Sequence, residues 1–281
     1  MFAELSLLSA PAADDAARAL REDVGTGDLT ASLVDAGKRA SAHVIVREAA
    51  VICGRPWVDA TLRQVDASIA IDWRIDEGKR CKANDIVFEI EGPARSLLTA
   101  ERTALNFLQL LSGVATKTAT YVEAVRGTRA QIVDTRKTLP GLRMAQKYAV
   151  RAGGGTNNRI GLFDAVLIKE NHIAAAGGVS AALEAAAHLA TSAKFIEIEV
   201  ETLAQLQEAL EAGAEMILLD NMDLPTLHDA VRINAGRAVL EISGGVTLDS
   251  IRALAETGVD RISIGGLTKD VKATDFSMRF K

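Results

Sequence analysis

Basic side chains are concentrated in one short part of the chain, between residues 136 and 169. This segment holds seven Lys or Arg and one acid, a net charge of +6 in a chain whose total is -5. The charges surround the triple glycine at 153–155 and follow the turn Leu139-Pro140-Gly141. A surface that binds nucleic acid would spread its charge more widely, so the segment predicts a site for a small ligand with several negative charges.

Polar residues or glycines also stand where apolar runs of the second half of the chain end. The ends are Asp134-Thr135-Arg136-Lys137, Lys169, Glu199, Asp220, Ser243-Gly244-Gly245 and Gly265-Gly266. Nearly every run therefore finishes in a group that can bind a ligand or react with one. If these ends meet in space, they form one site that contains both cations and carboxylates.

The elements that must position these groups are predicted by a regular alternation of apolar runs and amphipathic helices. The runs cover residues 130–134, 165–169, 195–200, 215–220, 238–243 and 260–265. Six strands separated by helices predict right-handed βα units and a parallel sheet, either doubly wound or closed into a barrel. The motifs GxGxxG and GxxxxGK[ST] are absent, which favours a TIM-like barrel, whose site lies at the carboxyl ends of the strands.

The first half of the chain has a different organisation. Short β-rich runs between residues 42 and 90, with one helix near 56–65, predict a small α+β unit with an antiparallel sheet. Apolar residues at helical spacing over 95–126 then predict a helix, or a pair of helices broken at Ser112-Gly113. This helical stretch joins the two regions.

Composition excludes several classes of protein. The chain has 281 residues, 48% of them hydrophobic, and no apolar run reaches the ~20 residues of a transmembrane helix. The N-terminal stretch has acids where a secretory signal has basic residues, so we expect a cytoplasmic protein with no membrane or nucleic-acid partner. Cys53 and Cys81 lack metal-ligand spacing and are expected to be reduced, buried and structural.

Several long motifs resemble one family across almost the whole chain. They are EDVGTGDLT (22–30), ERTALNFLQLLSGVAT (101–116), DTRKTLPGLRMAQKYAV (134–150), GGGTNNRIGLFDAVLIKENHI (153–173), EIEVETL (197–203), LLDNM (218–222), EISGGVT (241–247) and ISIGGLTKDVKATDFSMRF (262–280). The chain resembles the quinolinate phosphoribosyltransferases, the carboxylating nicotinate-nucleotide pyrophosphorylases of bacterial type. The resemblance implies that quinolinate and phosphoribosyl pyrophosphate give nicotinate mononucleotide, CO2 and pyrophosphate, with Mg2+, in NAD synthesis.

The resemblance also implies an architecture. We expect an N-terminal α/β sandwich with an antiparallel sheet over residues 1–112, to which 271–281 return, and an open TIM-like α/β barrel over 113–270, as in type II phosphoribosyltransferases. It further implies a homodimer in which each site borrows Arg102 from the partner subunit.

The resemblance assigns basic residues to quinolinate, whose two carboxylates need positive partners. Arg136, Arg159 and Lys169 are expected to hold the carboxylates, with Arg102 completing the set, because a planar guanidinium can bind a carboxylate through two hydrogen bonds. Lys137 is expected between quinolinate and the phosphoribosyl group. Thr135, Asn158 and His172 are expected to complete the walls of this pocket.

Acids and glycines are assigned to the second substrate. Glu199 and Asp220 are expected to serve the ribose and to bind Mg2+ directly or through water, because this ion takes only one or two protein carboxylates. Ser243, Gly244, Gly245, Gly265 and Gly266 are expected to cradle the 5'-phosphate with their backbone N–H groups. We expect Lys137, Lys169, Glu199 and Asp220 to be the catalytic set.

Several positions leave alternatives open or carry further expectations. Glu197 and Glu201 share a face with Glu199 on a regular strand, so either could replace it, and Glu197 could instead be a buried partner of a basic site residue. The family has histidine at position 158, and we hypothesise that Asn158 preserves the geometry with weaker binding or a slower step. The glycines at 153–155 are expected to cap a helix, and Arg143, Lys147 and Arg151 to form a solvated or subunit-facing stripe on it.

Three other functions compete with the family reading. A related phosphoribosyltransferase-like protein associated with molybdenum uptake shares the fold, although LIKENHI (167–173) argues against it. A Schiff-base aldolase could use Lys169 as its nucleophile. A non-catalytic protein that binds quinolinate is the third, and Asn158 is the feature that favours it.

Overall fold

The computed structural model describes residues 8–281, so the first seven residues of the N-terminal stretch discussed above lie outside the described part. It divides into two compact units. The first contains residues up to 119 together with 139–154 and 270–281, and the second contains 120–138 and 155–269. The expected boundary between residues 112 and 113 stays a prediction.

Helices and strands are numbered here in chain order. The helices are α1 (Ser9–Val24), α2 (Arg55–Val65), α3 (Ala94–Ala124), α4 (Arg143–Ala152), α5 (Glu170–Ala176), α6 (Val179–Ala186), α7 (Leu203–Glu211), α8 (Leu224–Asn234), α9 (Ile251–Glu256) and α10 (Gly266–Lys269). The strands are β1 (Arg39–Val46), β2 (Ala50–Val51), β3 (Ala70–Trp73), β4 (Arg80–Cys81), β5 (Ile86–Pro93), β6 (Gln131–Val133), β7 (Val166–Ile168), β8 (Ile196–Val200), β9 (Met216–Asp220), β10 (Val239–Ser243), β11 (Arg261–Ser263) and β12 (Phe276–Phe280). Short 3-10 turns lie at Ala31–Leu33 and Ala187–Leu189.

The first unit is built on an antiparallel sheet, as the sequence predicted. Its strand order is β12-β1-β5-β3, so the last strand of the chain pairs with the first. Alternate side chains of β1 and β5 are buried against α2 and α3 in one apolar core that includes Val44, Phe88 and Leu105. Both cysteines are buried and not bonded to each other, as expected.

The second unit contains the predicted parallel sheet, in the order β6-β11-β10-β9-β8-β7. β6 and β7 follow one another along the chain but are the two outer strands of this sheet and are not paired with each other. The sheet is therefore open between them, as expected for an open barrel. Each of the six predicted strands is present within two residues of the expected bounds. Because the strands are parallel, their carboxyl ends all lie on the same side of the sheet, and this side is called its carboxyl edge below.

Local capping fixes where the helices begin after the strands. The Thr202 hydroxyl accepts the N–H of Gln205 at 3.2 Å and caps α7, which begins three residues after the end of β8. The Asp223 carboxylate accepts the N–H of Thr226 at 3.0 Å, and Pro225 lies in the first turn of α8. These caps keep the connections short, so the acids that end β8 and β9 stay at the edge of the sheet.

Three details of the helices bear on the expectations. Lys147 is 3% exposed, so the expected solvated stripe on α4 is wrong at its centre. α4 does end at Ala152 with Gly153 as its C-cap, as expected. α3 continues unbroken through Gly113, where a Cβ atom would overlap the backbone carbonyl of Lys272.

Within residues 8–281, no helix is both long and apolar enough to cross a membrane.

Candidate active site

Two acids predicted for the site end neighbouring strands of the barrel sheet. Glu199 lies near the end of β8 and Asp220 ends β9, and the two strands are paired in parallel. Burial raises the pKa of Glu199 above its ordinary value; Lys169 opposes this shift, and Asp220 and Glu170 add to it. The two carboxylates therefore stand at the ends of neighbouring strands, and the charge of Asp220 acts on Glu199.

Lys169 stands beside this acidic pair. Its ammonium nitrogen lies 3.5 Å from an Oε of Glu199, and its side chain is 48% exposed. The backbone N–H of Lys169 donates to Nδ1 of His172 at 3.0 Å. His172 therefore orders the first turn of α5 through one ring nitrogen, while its exposed position leaves the other nitrogen at the surface.

Arg136 and Arg159 form a basic pair in the same unit. Burial lowers the pKa of the Arg159 guanidinium, and the charge of Arg136 lowers it further, whereas Glu197 and Asp164 raise it. Two guanidinium groups that repel one another at close range are stabilised by an anion bound between them. The pair is thus suited to a ligand with adjacent carboxylates.

Asp134 holds the two segments that carry this basic pair. It follows β6 directly, has no exposed surface, and accepts the side-chain N–H of Asn157 at 2.6 Å and the backbone N–H of Asn158 at 2.9 Å. Arg136 follows Asp134 by two residues and Arg159 follows Asn158 by one. The carboxylate therefore sets the distance between the two guanidinium-bearing segments.

The carboxamide of Asn158 forms hydrogen bonds with two residues of the same chain. Its Nδ2 donates to Oε1 of Glu241 at 3.2 Å, and its Oδ1 accepts the N–H of Arg159 at 2.7 Å. Sequence reasoning placed Asn158 in the pocket wall and assigned no role to Glu241, although a glutamate inside the apolar run of residues 238–243 was a signal of a buried partner.

A tight turn after Arg159 is closed by Asp164, another acid that sequence reasoning did not single out. Its carboxylate accepts the N–H groups of Ile160 and Gly161, both at 2.9 Å, and lies 3.2 Å from the ammonium of Lys194. Burial raises the pKa of Asp164, but the N–H groups and Lys194 lower it more, so that its pKa is below the ordinary value. The turn presents Leu162 and Phe163, which are 77% and 80% exposed.

Lys137 and Thr135 lie beside the glycines that end β11. The Thr135 hydroxyl accepts the N–H of Lys137 at 3.1 Å, and the Thr268 hydroxyl donates to the Lys137 carbonyl at 2.8 Å. A Cβ atom on Gly265 would lie 2.9 Å from Cδ of Lys137. The absence of a side chain at Gly265 therefore lets the Lys137 side chain cross the end of β11.

The glycines that end β10 adjoin the acidic pair. Gly244 has φ 96° and Gly245 has φ 59°, both in the left-handed region. A Cβ atom on Gly244 would lie 2.6 Å from Oδ1 of Asn221 and 3.7 Å from an Oδ of Asp220. The Asn221 amide donates to the other Oδ of Asp220 at 2.9 Å, so this small set of contacts fixes one face of the Asp220 carboxylate.

A buried charged cluster lies on the inner strands. Glu197 is 1% exposed and Glu241 is not exposed, and Nε of Arg261 lies 3.0 Å from Oε2 of Glu241, although not with hydrogen-bond geometry. Burial raises the pKa of Glu197, and Glu241 raises it further. Neither carboxylate oxygen of Glu197 has a hydrogen-bond partner among residues 8–281. Its burial agrees with the alternative of a structural residue, but the hydrogen-bonded pairing with a basic site residue that this alternative supposes is not formed.

The remaining predicted residues are placed as follows. Ser243 is the last residue of β10, and Gly266 is the first residue of α10, three residues after the end of β11. Arg102 lies on α3 in the first unit, with an exposed side chain. Glu201 is exposed just beyond β8. Within residues 8–281 no group of three or more His, Cys, Asp or Glu side chains forms a metal site.

Comparison with known proteins assigns the two halves of the chain. The family description "Quinolinate phosphoribosyl transferase, N-terminal domain" matches residues 28–112, and "Quinolinate phosphoribosyl transferase, C-terminal domain" matches residues 114–279.

Individual relatives match over nearly their whole length. The chain is 43% identical over 277 residues to the nicotinate-nucleotide pyrophosphorylase [carboxylating] of Mycobacterium leprae, covering 95% of this chain and 96% of the relative. It is 40% identical over 257 residues to the probable enzyme of that name in Bacillus subtilis, covering 92% and 89%. The solved structure of the nicotinate-nucleotide pyrophosphorylase from Francisella tularensis has a TM-score of 0.94 at 44% identity and covers 97% of both chains.

Proposed function

The chain belongs to the quinolinate phosphoribosyltransferase family, and we propose that it transfers the phosphoribosyl group of phosphoribosyl pyrophosphate to quinolinate with decarboxylation. The products are nicotinate mononucleotide, CO2 and pyrophosphate, and the reaction belongs to NAD biosynthesis. The observation that supports this proposal is the gathering of basic and acidic residues after the carboxyl ends of the parallel strands, where Lys169 lies 3.5 Å from Glu199.

The basic pair suits quinolinate, a pyridine with two adjacent carboxylates. Asp134 holds the segment of Arg159 beside its own segment, which carries Arg136, and the charge of Arg136 lowers the pKa of Arg159. A dianion between them relieves this repulsion, and each guanidinium can offer two parallel N–H donors. Lys169 adds a third cation at the end of β7.

The acidic pair suits the ribose and Mg2+. Glu199 and Asp220 provide hard carboxylate oxygens, and Mg2+ takes only one or two protein carboxylates while it keeps waters and substrate oxygens as its other ligands. Bound there, Mg2+ would neutralise the charge of the leaving pyrophosphate. The carboxylates of Glu199 and Asp220 would at the same time stabilise positive charge that develops on the ribose.

Lys137 connects the two halves of the site. Its backbone is held by Thr135 and Thr268, and its stem passes the bare backbone of Gly265. From this position its ammonium can interact with the negative charges of both the pyridine carboxylates and the phosphoribosyl group. Lys137 thereby orients the ring nitrogen of quinolinate for attack on the ribose carbon.

The glycines at the ends of β10 and β11 suit the 5'-phosphate. Gly244 and Gly245 adopt conformations that favour glycine and leave their backbone N–H groups without shielding side chains. Together with Ser243, Gly265 and Gly266 they form the phosphate cradle. Its place beside Asp220 keeps the ribose between the phosphate and the acidic pair.

Loss of CO2 follows from the transfer itself. Once the ring nitrogen carries ribose, it is a pyridinium, which stabilises the electron pair left on the adjacent carbon when the carbon–carboxylate bond breaks. A proton then replaces CO2 at that carbon. The basic residues need only hold the departing carboxylate in place and limit access of water.

We further propose that the active form is a homodimer in which Arg102 of one subunit completes the site of the other. Arg102 is exposed on α3, as a residue that reaches a neighbouring chain must be. Leu162 and Phe163, three and four residues after Arg159, are also exposed and would be covered by such a neighbour.

The deciding experiment supplies purified protein with quinolinate, phosphoribosyl pyrophosphate and Mg2+. Stoichiometric release of CO2 and nicotinate mononucleotide is expected. Binding of quinolinate without turnover would favour the non-catalytic alternative, and trapping of a carbonyl substrate on Lys169 by borohydride would favour the aldolase.

A further inference from the structure

Both polar atoms of the Asn158 side chain are used within the chain. Oδ1 accepts the N–H of Arg159 at 2.7 Å, and Nδ2 donates to Oε1 of Glu241 at 3.2 Å. The opposite orientation of the amide would set two donors against each other at Arg159 and two acceptors against each other at Glu241. The chemistry of the partners therefore fixes which end of the carboxamide faces which group.

Glu241 is a rigid partner for this amide. It has no exposed surface, stands in the middle of β10, and is the Cα partner of Arg261 on β11. Nε of Arg261 lies 3.0 Å from the other carboxylate oxygen, Oε2. One oxygen of Glu241 thus faces a cation and the other faces Asn158.

The backbone of Asn158 is fixed on its other side. Its N–H donates to Oδ1 of Asp134 at 2.9 Å, and the neighbouring Asn157 amide donates to Oδ2 of the same carboxylate at 2.6 Å. Asn158 is therefore held between the end of β6 and the middle of β10. The group that this arrangement fixes is Arg159, whose N–H is bound by the Asn158 carboxamide.

We propose that Asn158 is a positioning residue that links Arg159 to Glu241 and does not itself bind substrate. The role rests on the proposed function in one respect, that Arg159 holds a carboxylate of quinolinate. Glu241 is the second member of this link. The residue at position 158 then affects the binding of quinolinate through the placement of Arg159 and has little effect on the binding of phosphoribosyl pyrophosphate.

A reversal of donor and acceptor tests the link. Asn158→Asp keeps an oxygen for the N–H of Arg159 but sets a second oxygen against Glu241. Glu241→Gln, with the same shape, supplies an amide that can donate to that oxygen. The double variant Asn158→Asp/Glu241→Gln therefore restores the contact with reversed polarity and has the net charge of the native chain.

The readouts are the KM values of both substrates, kcat, the quinolinate Kd from calorimetry and the midpoint of thermal unfolding. For Asn158→Asp we expect the quinolinate KM and Kd to rise about tenfold or more, with the KM of phosphoribosyl pyrophosphate within about twofold. The double variant should return to within about threefold of Glu241→Gln alone. A double variant as impaired as Asn158→Asp would overturn the proposal, because a direct ligand contact cannot be restored from Glu241.

A second pair of variants covers the case in which Asn158→Asp does not fold. Asn158→Ala removes the link without adding charge. If the link exists, adding Glu241→Gln to Asn158→Ala should change the quinolinate Kd less than Glu241→Gln changes it in the native chain. Independent, multiplying effects would refute the link. A native protein that neither turns over nor binds quinolinate would refute the proposed function instead.

Discussion

The ammonium of Lys169 and the carboxylate of Glu199 lie 3.5 Å apart where the paired strands β7 and β8 end. This contact joins the two chemically different parts of the site. Lys169 belongs to the basic side assigned to quinolinate, and Glu199 belongs to the acidic side assigned to the ribose. A substitution of either residue should therefore change the KM values of both substrates, by different factors.

Glu199→Gln should lower kcat about a hundredfold, because a carboxylate that stabilises positive charge on the ribose is lost while the size of the side chain is kept. The KM of phosphoribosyl pyrophosphate should rise more than that of quinolinate. Steady-state kinetics with each substrate varied in turn measure both effects.

Glu201→Gln is the matched control for this variant. Glu201 follows Glu199 by two residues and is exposed beyond the end of β8. Its substitution should leave kcat within about twofold, in line with other exposed sites. A large loss in Glu201→Gln with normal activity in Glu199→Gln would transfer the acidic role to Glu201.

Gly244→Ala should impair the acidic side of the site from the next strand. The added Cβ would lie 2.6 Å from Oδ1 of Asn221, in a left-handed conformation that costs a non-glycine residue about 1–2 kcal/mol. Displacement of Asn221 disturbs Asp220, so the KM of phosphoribosyl pyrophosphate should rise and kcat should fall.

Gly245→Ala distinguishes the effect of backbone strain from the effect of the contact with Asn221. Gly245 also has a positive φ, of 59°, but a Cβ there meets nothing within 4 Å. Gly245→Ala should therefore destabilise the protein through conformation alone, by less than Gly244→Ala, and with a smaller kinetic effect. Equal kinetic losses in the two variants would show that the contact with Asn221 is unimportant.

The strand ends were predictable from sequence because each depends on a local pattern. A short apolar run followed by a polar group indicates a buried strand and its exit, and the parallel topology then gathers the exits at one edge. Glu199, Asp220 and Lys169 were placed together on this basis, and Lys169 does lie beside Glu199.

Pairings between distant buried polar groups were not predictable. Asn158 and Glu241 are 83 positions apart, and no periodicity connects a loop amide with a glutamate inside an apolar strand. Lys147 illustrates a related limit. The four-residue spacing of Arg143, Lys147 and Arg151 correctly puts them on one helix, but spacing alone does not tell which face meets solvent, and Lys147 is buried.

Asp164→Asn should destabilise the protein and weaken quinolinate binding. Asp164 closes the turn that follows Arg159 by accepting two N–H groups and contacting Lys194. Replacing the carboxylate by an amide sets a donor against one of these N–H groups, at a cost of about 1–3 kcal/mol. Urea unfolding and the quinolinate Kd measure the two effects.

The difference in stability between the native chain and Asp164→Asn should depend on pH in one predictable direction. Because the pKa of Asp164 is lower in the folded protein than its ordinary value of 3.8, the carboxylate stabilises the fold above that pH, and the contribution is lost as pH falls through the folded pKa. The difference in unfolding midpoint between native chain and Asp164→Asn should therefore be constant from pH 7 to 5 and shrink below about 3.8. A difference that grows toward low pH would contradict this role.

Mixing two inactive variants tests the shared site. Arg102→Ala should weaken quinolinate far more than phosphoribosyl pyrophosphate, because the lost cation belongs to the carboxylate side, and Arg136→Ala should do the same from the barrel. If Arg102 serves the partner subunit, a mixed dimer contains one site that lacks both arginines and one that is intact. Equal amounts of the two variants, allowed to exchange subunits, should then recover about a quarter of native activity, because half of the dimers are mixed and half of their sites are intact. Mass spectrometry of differently tagged subunits verifies the exchange, and activity that stays at the level of the separate variants after exchange would place Arg102 in the site of its own chain or outside the site.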